Sequence, residues 1–157
     1  QGVSSAASDV YMRQRFKDAT TVTEESHPFE NEDDSPFARL IGLQDGRSDS
    51  GVGSGAMTVR PHHLHSAGNV HGGLIAVLAD TAFFRAVRSL LQPGDRTTTV
   101  EMKVNFLAPA SDGELTATAT VVSSGNRLVV AEVEVTDQDQ NLIAQGLGTY
   151  LVMRQAR

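Results

Sequence analysis

The sequence predicts an α+β domain in which a curved antiparallel β-sheet wraps around one long central α-helix. Three observations predict it. The stretch from Gly72 to Leu91 carries an apolar residue on nearly every turn and stops at Pro93-Gly94, so it reads as a helix buried on most sides. Downstream, apolar and polar residues alternate over several long runs separated by turn residues, the pattern of strands with one covered face and one wet face. That apolar sheet face needs a cover, and the helix from Gly72 is the only stretch long and apolar enough to supply it.

Taken in order, residues 1–34 read as an acidic arm or linker ahead of a folded domain spanning 35–157. Within the arm, Asp9 to Ala19 is a candidate short amphipathic helix, and Thr20 to Asp34 is rich in Thr, Ser and Glu. Ser35-Pro36 supplies a cap and a first-turn proline for a short helix through Ile41, ending at Gly42. Gly51 to Val59 is a glycine-interrupted strand, and Pro61 to Val70 is the loop that feeds the long helix. After the helix, Val100, Met102, Val104 and Phe106 are expected on one strand face, with Glu101, Lys103 and Asn105 opposite. Leu115, Ala117, Ala119 and Val121 alternate with threonines up to a turn at Ser124-Gly125-Asn126. Val129, Ala131, Val133 and Val135 form the next alternating run, and a turn from Asp137 to Asn141 leads into Leu142 to Met153. Connections this short predict an antiparallel meander.

A chain of 157 residues with 39% apolar side chains suits one domain with a real core. The absence of cysteine removes a disulfide framework, a thiolate nucleophile and a cysteine-ligated metal. No apolar leader is visible, so the expected location is cytoplasmic. Asp80, Thr81, Arg85 and Arg88 interrupt the apolar run of the long helix, which argues against a membrane span. The net charge of −6 is concentrated at the front: residues 1–50 hold ten acidic and five basic side chains, residues 51–157 nine and eight. A nearly neutral main body offers no basic stripe, so neither nucleic acid nor a membrane is expected as a partner.

Two features of the long helix point to chemistry. Asp80 is a carboxylate in an otherwise apolar helix, costly to bury unless paired or kept for a reaction. Arg85 and Arg88, five and eight residues on, are not at helix-pair spacing from it. At the front, Gly72 and Gly73 leave first-turn amides uncovered at the positive end of the helix dipole, a site for an oxyanion or a polarised carbonyl; close packing at a helix start is the plainer account of such a pair. His71 reads as the helix-entry side chain that fixes the loop by hydrogen bonding. Gly72 and Asp80 are eight residues apart, about 12 Å along one helix, so one small reacting group cannot touch both. If both serve one reaction, the amide comes from one chain and the aspartate from another, and a two-fold dimer holds two such sites. His62, His63 and His65, without a nearby carboxylate, make a poor metal set, and no metal or cofactor is expected.

The blocks His65-Ser66-Ala67-Gly68-Asn69-Val70-His71-Gly72-Gly73, Leu78-Ala79-Asp80, Val104-Asn105-Phe106-Leu107-Ala108-Pro109-Ala110, Leu142-Ile143-Ala144-Gln145-Gly146 and Gly148-Thr149-Tyr150 occur in that order. Together they resemble the hotdog-fold acyl-CoA thioesterases of the phenylacetate-degradation type, over about Phe37 to Met153. The resemblance implies a hotdog fold, an acyl-CoA substrate, and reacting groups drawn from two subunits. It gives the Gly72 N–H the thioester carbonyl and makes Asp80 the nucleophile or general base. Thr99 would hold the attacking water or the aspartate, with Thr98 as the neighbour if the register slips by one. Where the family usually has Asn or Gln six residues before the histidine, this chain has His65, whose N–H can still donate to a carbonyl oxygen. Asn69 carries the usual amide at a different spacing, and with His71 and Gly73 it is a substrate-contact candidate. Arg127, leading a strand out of an exposed turn, is a candidate for the coenzyme's phosphates. Of Phe83 and Phe84, Phe84 is the candidate wall of an acyl pocket, although core packing also accounts for both.

The expected activity is therefore hydrolysis of an acyl-CoA thioester, with a homodimer as the smallest active unit and a homotetramer as the larger assembly. The alternative is a non-catalytic acyl-CoA-binding hotdog protein, with His65 marking decay of the oxyanion site. A hotdog dehydratase would want a catalytic histidine and a carboxylate reaching the hydrocarbon chain, which the glycine pair and the Asp80 spacing do not offer.

Overall fold

The structure, a computed structural model, describes residues 35–155. The acidic arm at 1–34 and its candidate helix from Asp9 to Ala19 lie outside the described residues. Helix α1 (Pro36–Ile41) starts as expected: the Ser35 hydroxyl accepts the Ala38 N–H at 3.1 Å, and Pro36 occupies the first turn. It ends on Gly42, whose φ of 65° is the left-handed conformation that glycine tolerates.

Two short strands, β1 (Leu43–Gln44) and β2 (Ser48–Asp49), precede β3 (Val52–Thr58). A 3₁₀ turn at Pro61–His63 then leads through the entry loop to α2 (Gly72–Arg88), followed by β4 (Arg96–Phe106), β5 (Glu114–Ser124), β6 (Leu128–Asp137) and β7 (Leu142–Met153). The strands form one antiparallel sheet in the order β1-β3-β5-β6-β7-β4, with β2 beside β3. The expected meander is present as β5-β6-β7. β4, although it precedes β5 in the chain, crosses to the far side and pairs with β7 at the end of the sheet.

The alternations read from the sequence lie where they were expected on β5 and β6. Leu115, Ala117 and Ala119 on β5 are buried, as are Val129, Ala131, Val133 and Val135 on β6. They pack against Ile75, Leu78, Ala79, Ala82, Phe83, Ala86 and Val87 of α2, so the sheet covers the helix and the helix fills the sheet. The glycines of β3 explain how close the two layers come. A Cβ at Gly53 would lie 2.2 Å from the Ala86 nitrogen and 2.3 Å from the Ala82 carbonyl oxygen, so the helix backbone rests directly on the strand. Arg85 is buried on this side, and its guanidinium donates to the Ser54 carbonyl at 2.5 Å and the Gln44 carbonyl at 3.3 Å, tying α2 to β3 and β1.

Two expectations are corrected. α2 ends at Arg88, three residues before Leu91, because the Ser89 hydroxyl donates back to the Ala86 carbonyl at 2.7 Å while the amides of Leu90 and Leu91 bond three residues back. The proposed single face of Val100, Met102, Val104 and Phe106 is broken by a bulge. Thr99 pairs with Tyr150 and Glu101 with Thr149, leaving Val100 as the extra residue, 56% exposed. The bulge reverses the parity of the strand, so Thr99 shares the helix-facing side with Met102, Val104 and Phe106. Met102 and Phe106 are nonetheless exposed there, since α2 lies mainly over β3, β5 and β6. No helix among the described residues is long and apolar enough to cross a membrane.

Candidate active site

The start of α2 leaves one amide uncommitted. His71 is the N-cap, and its Nδ1 accepts the Gly73 N–H at 3.1 Å. The Leu74 and Ile75 amides both bond to the His71 carbonyl. Among the described residues nothing accepts from the Gly72 N–H, which is left at the positive end of the helix. The structure thus corrects the expectation that Gly73 could assist a carbonyl, because its amide is spent on the cap. The Phe106 ring lies against Gly72: a Cβ there would be 3.3 Å from Phe106 Cζ.

His65 is brought to the same end of the helix. Its backbone amide bonds to the Asn69 carbonyl at 2.9 Å, and its ring lies 6.4 Å from the His71 ring, nearly perpendicular at 79°. His65 Nδ1 accepts the Ala67 N–H at 3.0 Å, so in the neutral ring the proton belongs on Nε2, a donor not used elsewhere among the described residues. Asn69 contributes its backbone carbonyl to this loop, and its side chain makes no hydrogen bond among the described residues.

His63 anchors the loop from below. It is 3% exposed, its carbonyl accepts the His71 N–H at 2.9 Å, and its Nδ1 accepts the Arg60 N–H at 3.0 Å. Burial holds its imidazole below the ordinary histidine range, and the charges of His62 and Arg60 add to that. The fold therefore prefers the neutral ring, whereas the unfolded chain takes up a proton near pH about 6.5. The contribution of His63 to stability is complete above that value and is lost as pH falls through the lower folded-state pKa. The thermal midpoint is expected to drop between roughly pH 7 and pH 5. His63→Asn, whose amide oxygen can accept from Arg60 in place of Nδ1, should flatten part of that slope in melts taken across pH. Parallel slopes in the two proteins would remove His63 as the cause.

Asp80 sits two turns along α2, half-buried, and its carboxylate is held by two hydroxyls. Thr99 donates to Oδ1 at 3.0 Å, and Tyr150 donates to the same oxygen at 2.5 Å. The Tyr150 hydroxyl also lies 3.2 Å from the Asp80 carbonyl oxygen. Among the described residues no group donates to Oδ2. Thr98 pairs with Leu151 and faces the other side of the sheet, so the slipped register does not occur. Tyr150 is the residue that sequence reasoning missed; it lay in the Gly148-Thr149-Tyr150 block but reads as an ordinary strand-core aromatic. Phe83 is fully buried with its ring 6.3 Å from that of Tyr150, whereas Phe84 is half-buried one turn beyond Asp80 on the same helix face. Arg127 is exposed at the β5–β6 turn, its carbonyl accepting the Val152 N–H at 2.7 Å. It precedes β6, two residues ahead of Val129, which pairs with Tyr150.

Two clusters result: Gly72, His65 and His71 at one end of α2, and Asp80, Thr99 and Tyr150 about 12 Å along it. A family model described as the thioesterase superfamily matches residues 67–144, a span that holds Gly72, Asp80 and Thr99 and stops short of His65 and Tyr150. The medium/long-chain acyl-CoA thioesterase YigI of Salmonella typhimurium is 30% identical over 132 residues, covering 74% of this chain and 85% of that protein. The chain belongs to the thioesterase superfamily. Among solved structures of that kind, the PaaI protein of the Escherichia coli phenylacetic acid degradation operon is 30% identical, with a TM-score of 0.71 over 79% of this chain and 88% of that one. The sheet wrapped around one long helix is the hotdog fold of the superfamily, as the sequence led one to expect. A putative esterase of Saccharolobus solfataricus is 41% identical over 88 residues, 56% of this chain. This superfamily member spans 58% of the length of that relative.

Proposed function

We propose that this protein hydrolyses acyl-CoA thioesters to the free acid and CoA at a site shared by two copies of the chain. The observation that carries the proposal is the pair of uncommitted groups on one helix: the Gly72 amide, and the Asp80 oxygen left open when Thr99 and Tyr150 hold the other. In the shared site the Gly72 N–H and His65 Nε2–H of one protomer polarise the thioester carbonyl. Asp80 of the facing protomer attacks the acyl carbon or takes a proton from the attacking water. Phe84 lines the acyl pocket, and Arg127 at the rim meets the coenzyme's phosphates. His71 keeps the glycine turn in shape.

The open face of β4 supports the two-fold arrangement. Among the described residues β4 ends the sheet with an unpaired edge, and Met102 and Phe106 are 38% and 54% exposed although they lie on the helix-facing side. An isologous contact across this face would cover them and bring each helix start toward the other protomer's aspartate. Dimers pairing into a tetramer are the larger assembly.

A thiol-release assay on short, aromatic and long acyl-CoAs, run beside a mass measurement in solution, tests this. The wild-type protein is expected to be at least a dimer and to release CoA. Met102→Glu, which places a charge in the apolar contact, should give monomers with thiol release lowered by about 10²-fold or more, since neither half-site is then complete. A fully active monomer would refute the shared site. Acyl-CoA affinity with no thiol release would instead favour the non-catalytic binding protein.

A further inference from the structure

The two oxygens of Asp80 are treated unequally. Oδ1 accepts from the Tyr150 phenol at 2.5 Å and from Thr99 at 3.0 Å, while no described residue donates to Oδ2. A carboxylate on its own rotates through a broad two-fold torsion and presents either oxygen. Here the donors come from two neighbouring strands, and the β4 bulge and the β4–β7 register set Thr99 and Tyr150 directly opposite each other. The Tyr150 ring cannot swing away, because it is fully buried and packed against Phe83. Its partner on the helix is 70 residues away in sequence, so the contact depends on the completed fold.

Resting on the thioesterase reading, we propose that Tyr150 is a positioning residue: with Thr99 it pins Oδ1 of Asp80 and thereby reserves Oδ2 as the oxygen that reacts. An oxygen accepting two hydrogen bonds has its lone pairs engaged and its charge partly neutralised, so Oδ2 is the better base and the better nucleophile. In the water route, Oδ2 takes a proton from water as the water oxygen bonds to the acyl carbon. The C–S bond then breaks, and the proton passes from Oδ2 to the departing thiolate. In the direct route, Oδ2 bonds to the acyl carbon as the thiolate leaves. Water then cleaves the mixed anhydride to the free acid and the restored carboxylate, its spare proton going to the thiolate. Either route needs Oδ2 aimed and unencumbered. Burial, followed by the contact with Asp80, pushes the Tyr150 hydroxyl well above the usual phenol range, so it remains a donor throughout the working pH range.

Tyr150→Phe removes the donor and keeps the ring. Its kcat is expected to fall about 10- to 100-fold with KM within about two-fold of wild type, because the carboxylate is misaimed and the binding surface is untouched. Val135→Ala, a cavity on β6 six residues along from Val129, which pairs with Tyr150, should lower the melting temperature and keep kcat, showing that lost stability alone does not mimic the effect. A high-resolution structure of Tyr150→Phe should show the Asp80 carboxylate rotated or in two conformers. Wild-type kcat in Tyr150→Phe, a loss confined to KM, or a single unchanged Asp80 conformer would overturn the proposal. Asp80→Asn separates the two levels: if it still turns over, the role of Asp80 itself fails. If it is dead while Tyr150→Phe matches wild type, only the positioning role fails. The conformer test stands whether or not the chain turns over acyl-CoA.

Discussion

Asp80→Asn is expected to lower kcat for thioester hydrolysis by about 10³-fold, close to 4 kcal/mol of transition-state stabilisation, while the protein keeps its fold. Asn is nearly isosteric, and its carbonyl oxygen can accept from Tyr150 and Thr99 as Oδ1 does in the wild-type chain. The amide nitrogen then takes the place of Oδ2, carrying neither the charge to activate water nor the lone pair to attack a carbonyl. Alanine is the less informative choice. It takes away the oxygen that Tyr150 and Thr99 share, leaving the buried phenol only the backbone carbonyl at position 80 and a void beside it, so lost activity and lost stability would mix. The check is thiol release by purified Asp80→Asn together with its melting temperature. A variant that melts like wild type and still turns over would remove Asp80 from the reaction.

Much of the site could be read in the sequence, because its parts are local. The apolar run from Gly72, its single carboxylate, and the glycine pair after His71 are all features of one helix and its entry, and the period of 3.6 residues exposes them. The alternating runs of β5 and β6 were equally legible, since a side-chain period of two is a local property. What stayed hidden depends on pairing between distant segments. Strand order is set by which edge β4 finds, and nothing in residues 96–106 says that its neighbour is β7 and not β5. The bulge at Val100 is a second case: strict alternation puts Thr99 on the face opposite Val104, and the extra residue brings both to the helix side. Tyr150 is a third, because a tyrosine in an apolar strand reads as core until the fold shows a carboxylate at its hydroxyl. The Gly73 amide failed for a smaller reason. His71 was expected to bond locally, and the bond it makes consumes that N–H.

Replacing Gly72 by proline should lower kcat/KM by about 10²- to 10³-fold, or about 3–4 kcal/mol, without unravelling α2. Proline is well suited to the first helical position, where the amide has no helical partner to lose and φ is already near the required value. The residue before it must be extended, and His71 has φ −62° and ψ 128°. The cap from Gly73 to His71 and the Leu74 and Ile75 bonds to the His71 carbonyl use other groups, so they persist. What disappears is the one first-turn N–H that no described residue accepts, which is the group assigned to the thioester carbonyl. A new Cβ at this position lies 3.3 Å from the tip of Phe106, whose exposed ring has room to shift. Gly72→Ala introduces the same Cβ and keeps the N–H, so the ratio of the two variants isolates the amide from the crowding. Measured on one acyl-CoA, alanine should stay within about ten-fold of wild type and proline should fall well below it. Equal losses in the two would mean that crowding against Phe106 accounts for the effect and that the carbonyl is polarised by something other than the Gly72 amide.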